Sequence, residues 1–271
     1  MDLSIPQKGD TMNKPKAIFI DVDGTLLSHA TKRVPKSAVD ALHYAHNKGA
    51  LLFIATGRSK MELGLIDDLA KVPFDGFVTM NGGYCYGADG NVIFKNPLHP
   101  QTVAALVERL THDPFPCMFI EEHHLYINMI NDRVQELQAS LALPLPPVGN
   151  IRHAPDIDIY QVAAFDAAQE EAFLRGLPYS RTTQWMEGGF DLVNETVNKW
   201  EGILHVSRHF GIEPQEAAAI GDGENDIEML ENAGYSVVMG NASDNVKQCA
   251  KFITGHIDDD GFAEAIAHLL S

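Results

Sequence analysis

The sequence predicts an α/β protein in which a doubly wound parallel sheet is interrupted by an inserted α+β unit. Short apolar runs alternate with segments of helical period at both ends of the 271-residue chain. Each run ends in a loop rich in Gly, Asp, Asn or Thr. The middle differs, with closely spaced strand pairs around turn residues. A βαβαβ opening, then hairpins, then renewed αβ alternation is the pattern of one sheet domain carrying an insertion of about 110 residues.

The first run, Ala17–Ile20, has the length and branching of a buried parallel strand. Residues 35–48 set Val39, Leu42, Ala45 and His46 at helical spacing, with Gly49 as the stop. A second buried strand, 50–55, ends in Thr56-Gly57-Arg58-Ser59, and a helix carrying Met61, Leu65, Ile66 and Leu69 follows. The third strand, 77–80, runs into Asn81-Gly82-Gly83. From Tyr84 the chain reads as a hairpin, a helix over 102–110, paired strands at 117–120 and 125–127, and a helix over 134–143. Pro144, Pro146 and Pro147 then impose an extended loop. A strand at 157–164, a helix at 167–174 and strands at 179–185 and 190–193 complete the insertion.

The αβ pattern resumes at Lys199 with a helix to Phe210. The small-residue strand 217–220 runs into Gly221-Asp222-Gly223-Glu224-Asn225-Asp226, and Ile227 begins a helix. A strand at 236–239 ends in Gly240-Asn241. A short helix at 246–250, a short strand at 252–253 and a helix at 262–270 follow. The expected division is an N-terminal extension over 1–13, a core over 14–82 and 192–271, and an inserted domain over 83–191.

Composition narrows the function. Hydrophobic residues at 45% and charged residues at 21% are ordinary for a globular protein, and no apolar run is long enough to span a membrane. The polar opening lacks the apolar stretch of a signal peptide, and Met12 offers an alternative start. Cys85, Cys117 and Cys249 form neither a metal spacing nor a disulfide framework, so a reducing cytoplasm is expected. The net charge of −17 argues against nucleic acid and anionic membranes as partners. An anionic substrate would need local cations against that field, which makes each Lys or Arg beside an acidic motif informative. Oligomeric state is not legible.

Asp21 and Asp23 follow the first strand two residues apart, and Gly24 turns the chain away. In extended backbone both carboxylates enter one small space, and such repulsion calls for a cation or a shared proton. At the carboxyl end of a strand in an α/β sheet a divalent metal is the natural remedy. The alternative is a turn in which both residues cap backbone amides; an EF-hand fails because Thr25 and Leu27 stand at ligand positions.

Asp21-Val22-Asp23-Gly24-Thr25-Leu26, Thr56-Gly57-Arg58, Lys199 and Gly221-Asp222-Gly223-Glu224-Asn225-Asp226 together resemble the four motifs of the haloacid dehalogenase superfamily. The insertion between the second and third motifs resembles the type-two cap of its Cof-like, subclass IIB phosphatases, as do Val238-Met239-Gly240-Asn241-Ala242 and Asp260-Gly261. The resemblance implies a Rossmann-like core, a cap and an Mg2+-dependent phosphatase acting on small phosphorylated metabolites, sugar phosphates or phosphorylated cofactors. It makes Asp21 the nucleophile that forms an aspartyl-phosphate, and Asp23 the acid that protonates the leaving alkoxide and then activates water. Magnesium would be held by Asp21, the backbone carbonyl of Asp23 and Asp222, with Asp226 orienting waters or Lys199 from behind.

Thr56 and the Gly57 N–H are the implied phosphate contacts, Thr56 being otherwise a helix N-cap. Lys199, otherwise a surface residue, would neutralise Asp21 and the transferring phosphoryl group. Many relatives carry Gly after this lysine, where Trp200 stands here. Asn225 is a further phosphate contact. Arg58 is either a solvated first-turn residue or a substrate contact. Asn81 and Gly82, at the cap hinge, and Glu187 with Met186 and the 121–124 loop are the remaining substrate-contact candidates. His123-His124 has no third ligand at metal spacing and reads as a hairpin turn.

Two rival functions share this scaffold. In a phosphotransferase or phosphomutase the aspartyl-phosphate passes to a sugar hydroxyl instead of water. A non-enzymatic metabolite sensor would have no need of Asp21 and Asp23 together.

Overall fold

The computed structural model describes residues 14–165, 170–186 and 189–271. The expected N-terminal extension and Glu187 lie outside the described residues. The strands are β1 (Ala17–Ile20), β2 (Leu51–Ala55), β3 (Gly76–Thr79), β4 (Tyr84–Gly87), β5 (Val92–Lys95), β6 (Cys117–Ile120) and β7 (Leu125–Ile127). They continue with β8 (Gln161–Phe165), β9 (Ser180–Met186), β10 (Gly189–Asn194), β11 (Ala217–Gly221), β12 (Tyr235–Val238) and β13 (Phe252–Ile253). The helices are α1 (Lys36–Asn47), α2 (Lys60–Leu63), α3 (Pro100–His112), α4 (Asp132–Ser140), α5 (Glu170–Leu174), α6 (Lys199–Phe210), α7 (Ile227–Asn232), α8 (Asp244–Lys247) and α9 (Gly261–Leu270). No helix among the described residues is long and apolar enough to cross a membrane.

Two sheets result. The larger has the order β13-β12-β11-β1-β2-β3-β4-β5, parallel from β13 to β3. Alternation along its central strands sends Ile18, Ile20, Leu52 and Ile54 to a cluster with α1 and α9. Phe19, Phe53, Val78 and Ala219 go to the opposite face, against α6 and α7. Both faces are therefore covered, as a parallel sheet requires. The second sheet, β7-β6-β8-β10-β9, has antiparallel pairings and forms the cap. Its outer face packs Phe119, Val162, Ala164, Phe190 and Leu192 with Val103, Leu106 and Leu110 of α3. Its inner face carries Met118, Ile120, Ala163 and Phe165 towards the larger sheet.

Three sequence expectations change. Residues 84–95, read as part of the insertion, form the hairpin β4–β5 at the edge of the larger sheet. The cause is a tight reversal after β3: Met80, Asn81 and Gly82 all have positive φ, so β4 folds straight back on β3. At the other end, β10 continues in the cap sheet to Asn194, past the expected boundary at 191. The helix expected through Leu69 is one turn, α2, followed at Asp67–Leu69 by a 3-10 turn. Gly64 ends α2, in keeping with its low helix propensity.

The reversal after β3 also seats α6. Gly82 has φ +100°, and a Cβ there would lie 2.2 Å from the Asn198 carbonyl oxygen. Gly202 faces it from α6, where a Cβ would stand 2.8 Å from Gly82 Cα. Two glycines thus let helix and turn approach backbone to backbone. Trp200, the departure from the family pattern, packs half-buried against the apolar cluster under α6.

Gly82→Ala is expected to lower stability by about 2–4 kcal/mol through left-handed strain plus the collision with Asn198. Gly49→Ala is the control: φ is +88° but nothing lies within 4 Å, so only the backbone term of about 1 kcal/mol applies. Urea midpoints of the two variants measure the difference. Equal losses would show that the close approach of α6 is unimportant.

Candidate active site

The loops after β1, β2, β11 and β12 meet at the carboxyl edge of the parallel sheet, where open α/β sheets bind ligands. Asp21 is the first residue after β1, and its N–H donates to the Ile220 carbonyl, which fixes it beside β11. Lys199 is the first residue of α6, which is capped by Asn198 accepting from the Glu201 N–H. From there the buried ammonium donates to Asp21 Oδ1 and to Asp226 Oδ1, each at 2.6 Å. Burial works to depress the Lys199 ammonium, but the two carboxylates outweigh it and its pKa rises.

Asp226 is fully enclosed and does more than orient the lysine. Its Oδ2 accepts from the backbone N–H groups of Asp222 and Gly223, both at 2.9 Å, and so shapes the loop that presents Asp222. Asp222 is held on both oxygens, by Thr25 Oγ1 at 2.9 Å and by Asn241 Nδ2 at 3.0 Å. Gly24 makes room for it: a Cβ there would lie 2.2 Å from Asp222 Oδ2. The sequence assigned no role to Thr25 or Asn241, though each lies within a stretch that carried the resemblance.

Asp23 enters the same cavity, close enough to act on the Asp21 carboxylate, as their spacing predicts. Its own partner is a different cation: Arg58 Nε donates to Asp23 Oδ2 at 2.8 Å and Arg58 Nη2 to Asp23 Oδ1 at 2.7 Å, a bidentate pair. Arg58 is 8% exposed, which corrects the reading of it as a solvated residue. Thr56 is buried and its hydroxyl accepts from the Arg58 N–H at 3.1 Å. The following helix begins only at Lys60 behind a Ser59–Glu62 capping box, so the Gly57 N–H lies in a loop ahead of it.

Asp21, Asp23, Thr56, Gly57, Arg58, Asp222 and Asn225 line one cavity of about 750 Å³. Gln161, Ala163, Phe165, Trp185 and Asp191 of the cap line it from above. Asn81 and Gly82 do not line it. Gly82 packs against α6, and Asn81 is buried in hydrogen bonds to Gln161, Asp191 and Asn225. Gln161 and Asp191 escaped the sequence reading because nothing near either in the chain marks it.

The donor set suits a hard divalent cation. Carboxylate oxygens of Asp21, Asp222 and Asp226 lie within 4.8 Å of one another, with one ammonium among them. Burial, then the Asp226 carboxylate, pushes Asp222 up to about 7. Burial and the same neighbour hold Asp21 well above the ordinary carboxylate range, against the pull of Lys199. An oxygen-ligated cation such as magnesium would relieve that repulsion.

The chain matches the model of the haloacid dehalogenase-like hydrolase family over residues 18–266. It is 30% identical over 255 residues to YkrA of Bacillus subtilis (strain 168), provisionally named a phosphatase, covering 94% of this chain and 97% of that one. A second relative from that strain, 5-amino-6-(5-phospho-D-ribitylamino)uracil phosphatase YwtE, is 26% identical, with 94% and 98% covered. Among solved structures, the subclass IIB sugar phosphatase BT4131 superposes with a TM-score of 0.85 at 36% identity, over 93% of this chain and 98% of that one. With both sheets, the four motifs gathered round Asp21 and these matches along most of its length, the chain belongs to the haloacid dehalogenase-like hydrolase family.

Proposed function

We propose that the protein is a magnesium-dependent phosphatase that hydrolyses small phosphomonoesters, sugar phosphates or phosphorylated cofactors, through an aspartyl-phosphate. The observation that carries this reading is the Asp21 carboxylate, at a cavity wall with Lys199 on one oxygen and a second acid, Asp23, two residues on. Asp21 attacks phosphorus, and the bond from phosphorus to the leaving oxygen breaks. Asp23 gives that oxygen a proton. Water then attacks the aspartyl-phosphate, its proton passes to Asp23, and inorganic phosphate leaves with Asp21 restored.

Lys199 holds the attacking carboxylate in place and offsets charge on the transferring group. Arg58 orients Asp23 through the bidentate pair, and an arriving phosphate competes for the same guanidinium. Thr56 and Asn225 line the cavity beside it and supply a hydroxyl and an amide for phosphate oxygens. Magnesium held by Asp21, Asp222 and the Asp23 carbonyl would screen the phosphate from the surrounding carboxylates. The cap excludes water and meets the leaving group. Free, separate cysteines support a cytoplasmic site of action, and the acidic net charge disfavours nucleic acid and membrane partners.

Phosphate release from p-nitrophenyl phosphate and from alkyl and sugar phosphates, with magnesium or chelator, tests the reading. Asp21→Asn is expected to cost at least about 10³-fold on every ester. Asp23→Asn is expected to cost about 10²–10⁴-fold on alkyl and sugar phosphates. Because p-nitrophenolate leaves without a proton, the Asp23→Asn enzyme should release about one equivalent of it in a burst and then stall. Consumption of ester without free phosphate would instead indicate transfer to a hydroxyl.

Magnesium is also expected to stabilise the fold. At about 100 times its Kd, linkage contributes about 2.7 kcal/mol, a rise in Tm of roughly 5–10 °C. Asp222→Asn should remove most of that rise. An unchanged Tm in the wild-type protein would exclude a site of useful affinity.

A further inference from the structure

Among the described residues lining the cavity, Asp191 of β10 is the one acid that the cap contributes. It is buried, and its Oδ2 accepts from Asn81 Nδ2 at 3.0 Å. The same amide nitrogen donates to Gln161 Oε1 at 3.0 Å, and Asn81 Oδ1 accepts from Asn225 Nδ2 at 3.1 Å. Gln161 Nε2 donates in turn to the Gly57 carbonyl at 3.1 Å. Two cap strands are thereby tied to the turn after β3 and to both loops that border the phosphate position. Asp191 stands very near the reacting end of the cavity: a Cβ on Gly57, the neighbour of Thr56, would be 3.4 Å from its Oδ2.

Asp191 Oδ1 carries no hydrogen bond among the described residues, so the side chain has one end anchored and one end spare. Its surroundings also fix its charge. Burial pushes the carboxyl up to about 8; Glu62 on α2 adds to this, while the Asn81 hydrogen bond and Lys199 on α6 oppose it. Its partners across the sheet, Ala163 on β8 and Thr183 on β9, do not ionise. At neutral pH the group is therefore a neutral acid, able to donate one hydrogen bond without repelling a phosphate dianion.

We propose that Asp191 selects the leaving group, its free oxygen meeting a hydroxyl on the carbon chain beside the phosphoester, so that polyol and sugar phosphates are preferred to esters of bare hydrocarbon. The proposal rests on the phosphatase reading above. A site built to bond a substrate hydroxyl discriminates against the analogue that lacks it, because its own buried polar group is then left unpaired. Met118, Ile120 and Phe165 add apolar surface to the same cavity.

The test compares kcat/KM for glycerol 3-phosphate and glucose 6-phosphate with that for propyl phosphate, with magnesium, in the wild type, Asp191→Ala and Asp191→Asn. The wild type is expected to prefer the hydroxylated esters by about 10–100-fold. Asp191→Ala should lose at least tenfold more on these than on propyl phosphate, and Asp191→Asn, which keeps a donor and an acceptor, should retain most of the preference. The neutral acid is the donating form, so the wild-type preference should decline as pH rises through about 8 while that of Asp191→Asn does not. Equal losses on all esters in Asp191→Ala would assign the residue to fastening the cap and overturn the proposal, as would a wild type with no preference. Failure of the wild type to release phosphate from any ester, p-nitrophenyl phosphate included, would overturn the phosphatase reading and this proposal with it.

Discussion

The buried ammonium of Lys199 is the contact on which the site depends. Asp21 and Asp226 come from opposite ends of the chain, and the one ammonium bonds both buried carboxylates. The interaction spans 178 residues on the Asp21 side, so it forms only when β1, β11 and α6 are all assembled. The demand reaches outwards: Asn198 starts α6 where Lys199 is needed, and Gly202 and Gly82 let that helix sit directly on the turn after β3. That turn in turn carries Asn81, which links the larger sheet to the cap. A charge requirement in the site is thus met by backbone packing well outside it.

The cap sheet owes its role to having two different faces. Strand alternation sends Val162, Ala164, Phe190 and Leu192 outwards under α3, where they supply the hydrophobic stabilisation. The intervening positions, Gln161, Ala163, Phe165 and Asp191, are left facing the cavity. A one-residue slip in register would exchange the two sets and place Asp191 in the apolar layer. The same alternation therefore builds the cap and selects which side chains a substrate meets.

Local pattern made much of this legible. Apolar runs of strand length ending in Asp, Thr or Gly marked β1, β2 and β11 and the loops that follow them, and small residues marked the stops of α1 and α6. Asp21 and Asp23 enter one cavity, as their spacing predicts, each with its own cation. Where local pattern competed with tertiary constraint it misled. The hairpin at 84–95 has the texture of the insertion, yet the positive-φ turn preceding it decides which sheet it joins. Asn81, Gln161 and Asp191 are separated by 80 and 110 residues, and only the topology brings them together. No spacing in the sequence encodes that meeting.

Charge also resolves how so acidic a chain can receive an anionic substrate. Only two fixed cations, Lys199 and Arg58, have been placed against the catalytic acids, and both are already matched: Arg58 by Asp23, Lys199 by Asp21 and Asp226. Asp222 adds a further carboxylate held by neutral partners, so these two cations leave no charge over for a phosphate, and among the described residues only Lys32 adds another Lys or Arg to the cavity wall. Steering by the global field is unfavourable as well, at a net charge of −17. A divalent cation beside Asp21 and Asp222 would change the sign of that balance. An acid held neutral by burial, as Asp191 is, supplies polar recognition beside the phosphate without restoring the repulsion. Within one cavity the same side-chain type is thus paired, metal-seeking or uncharged, according to what surrounds it.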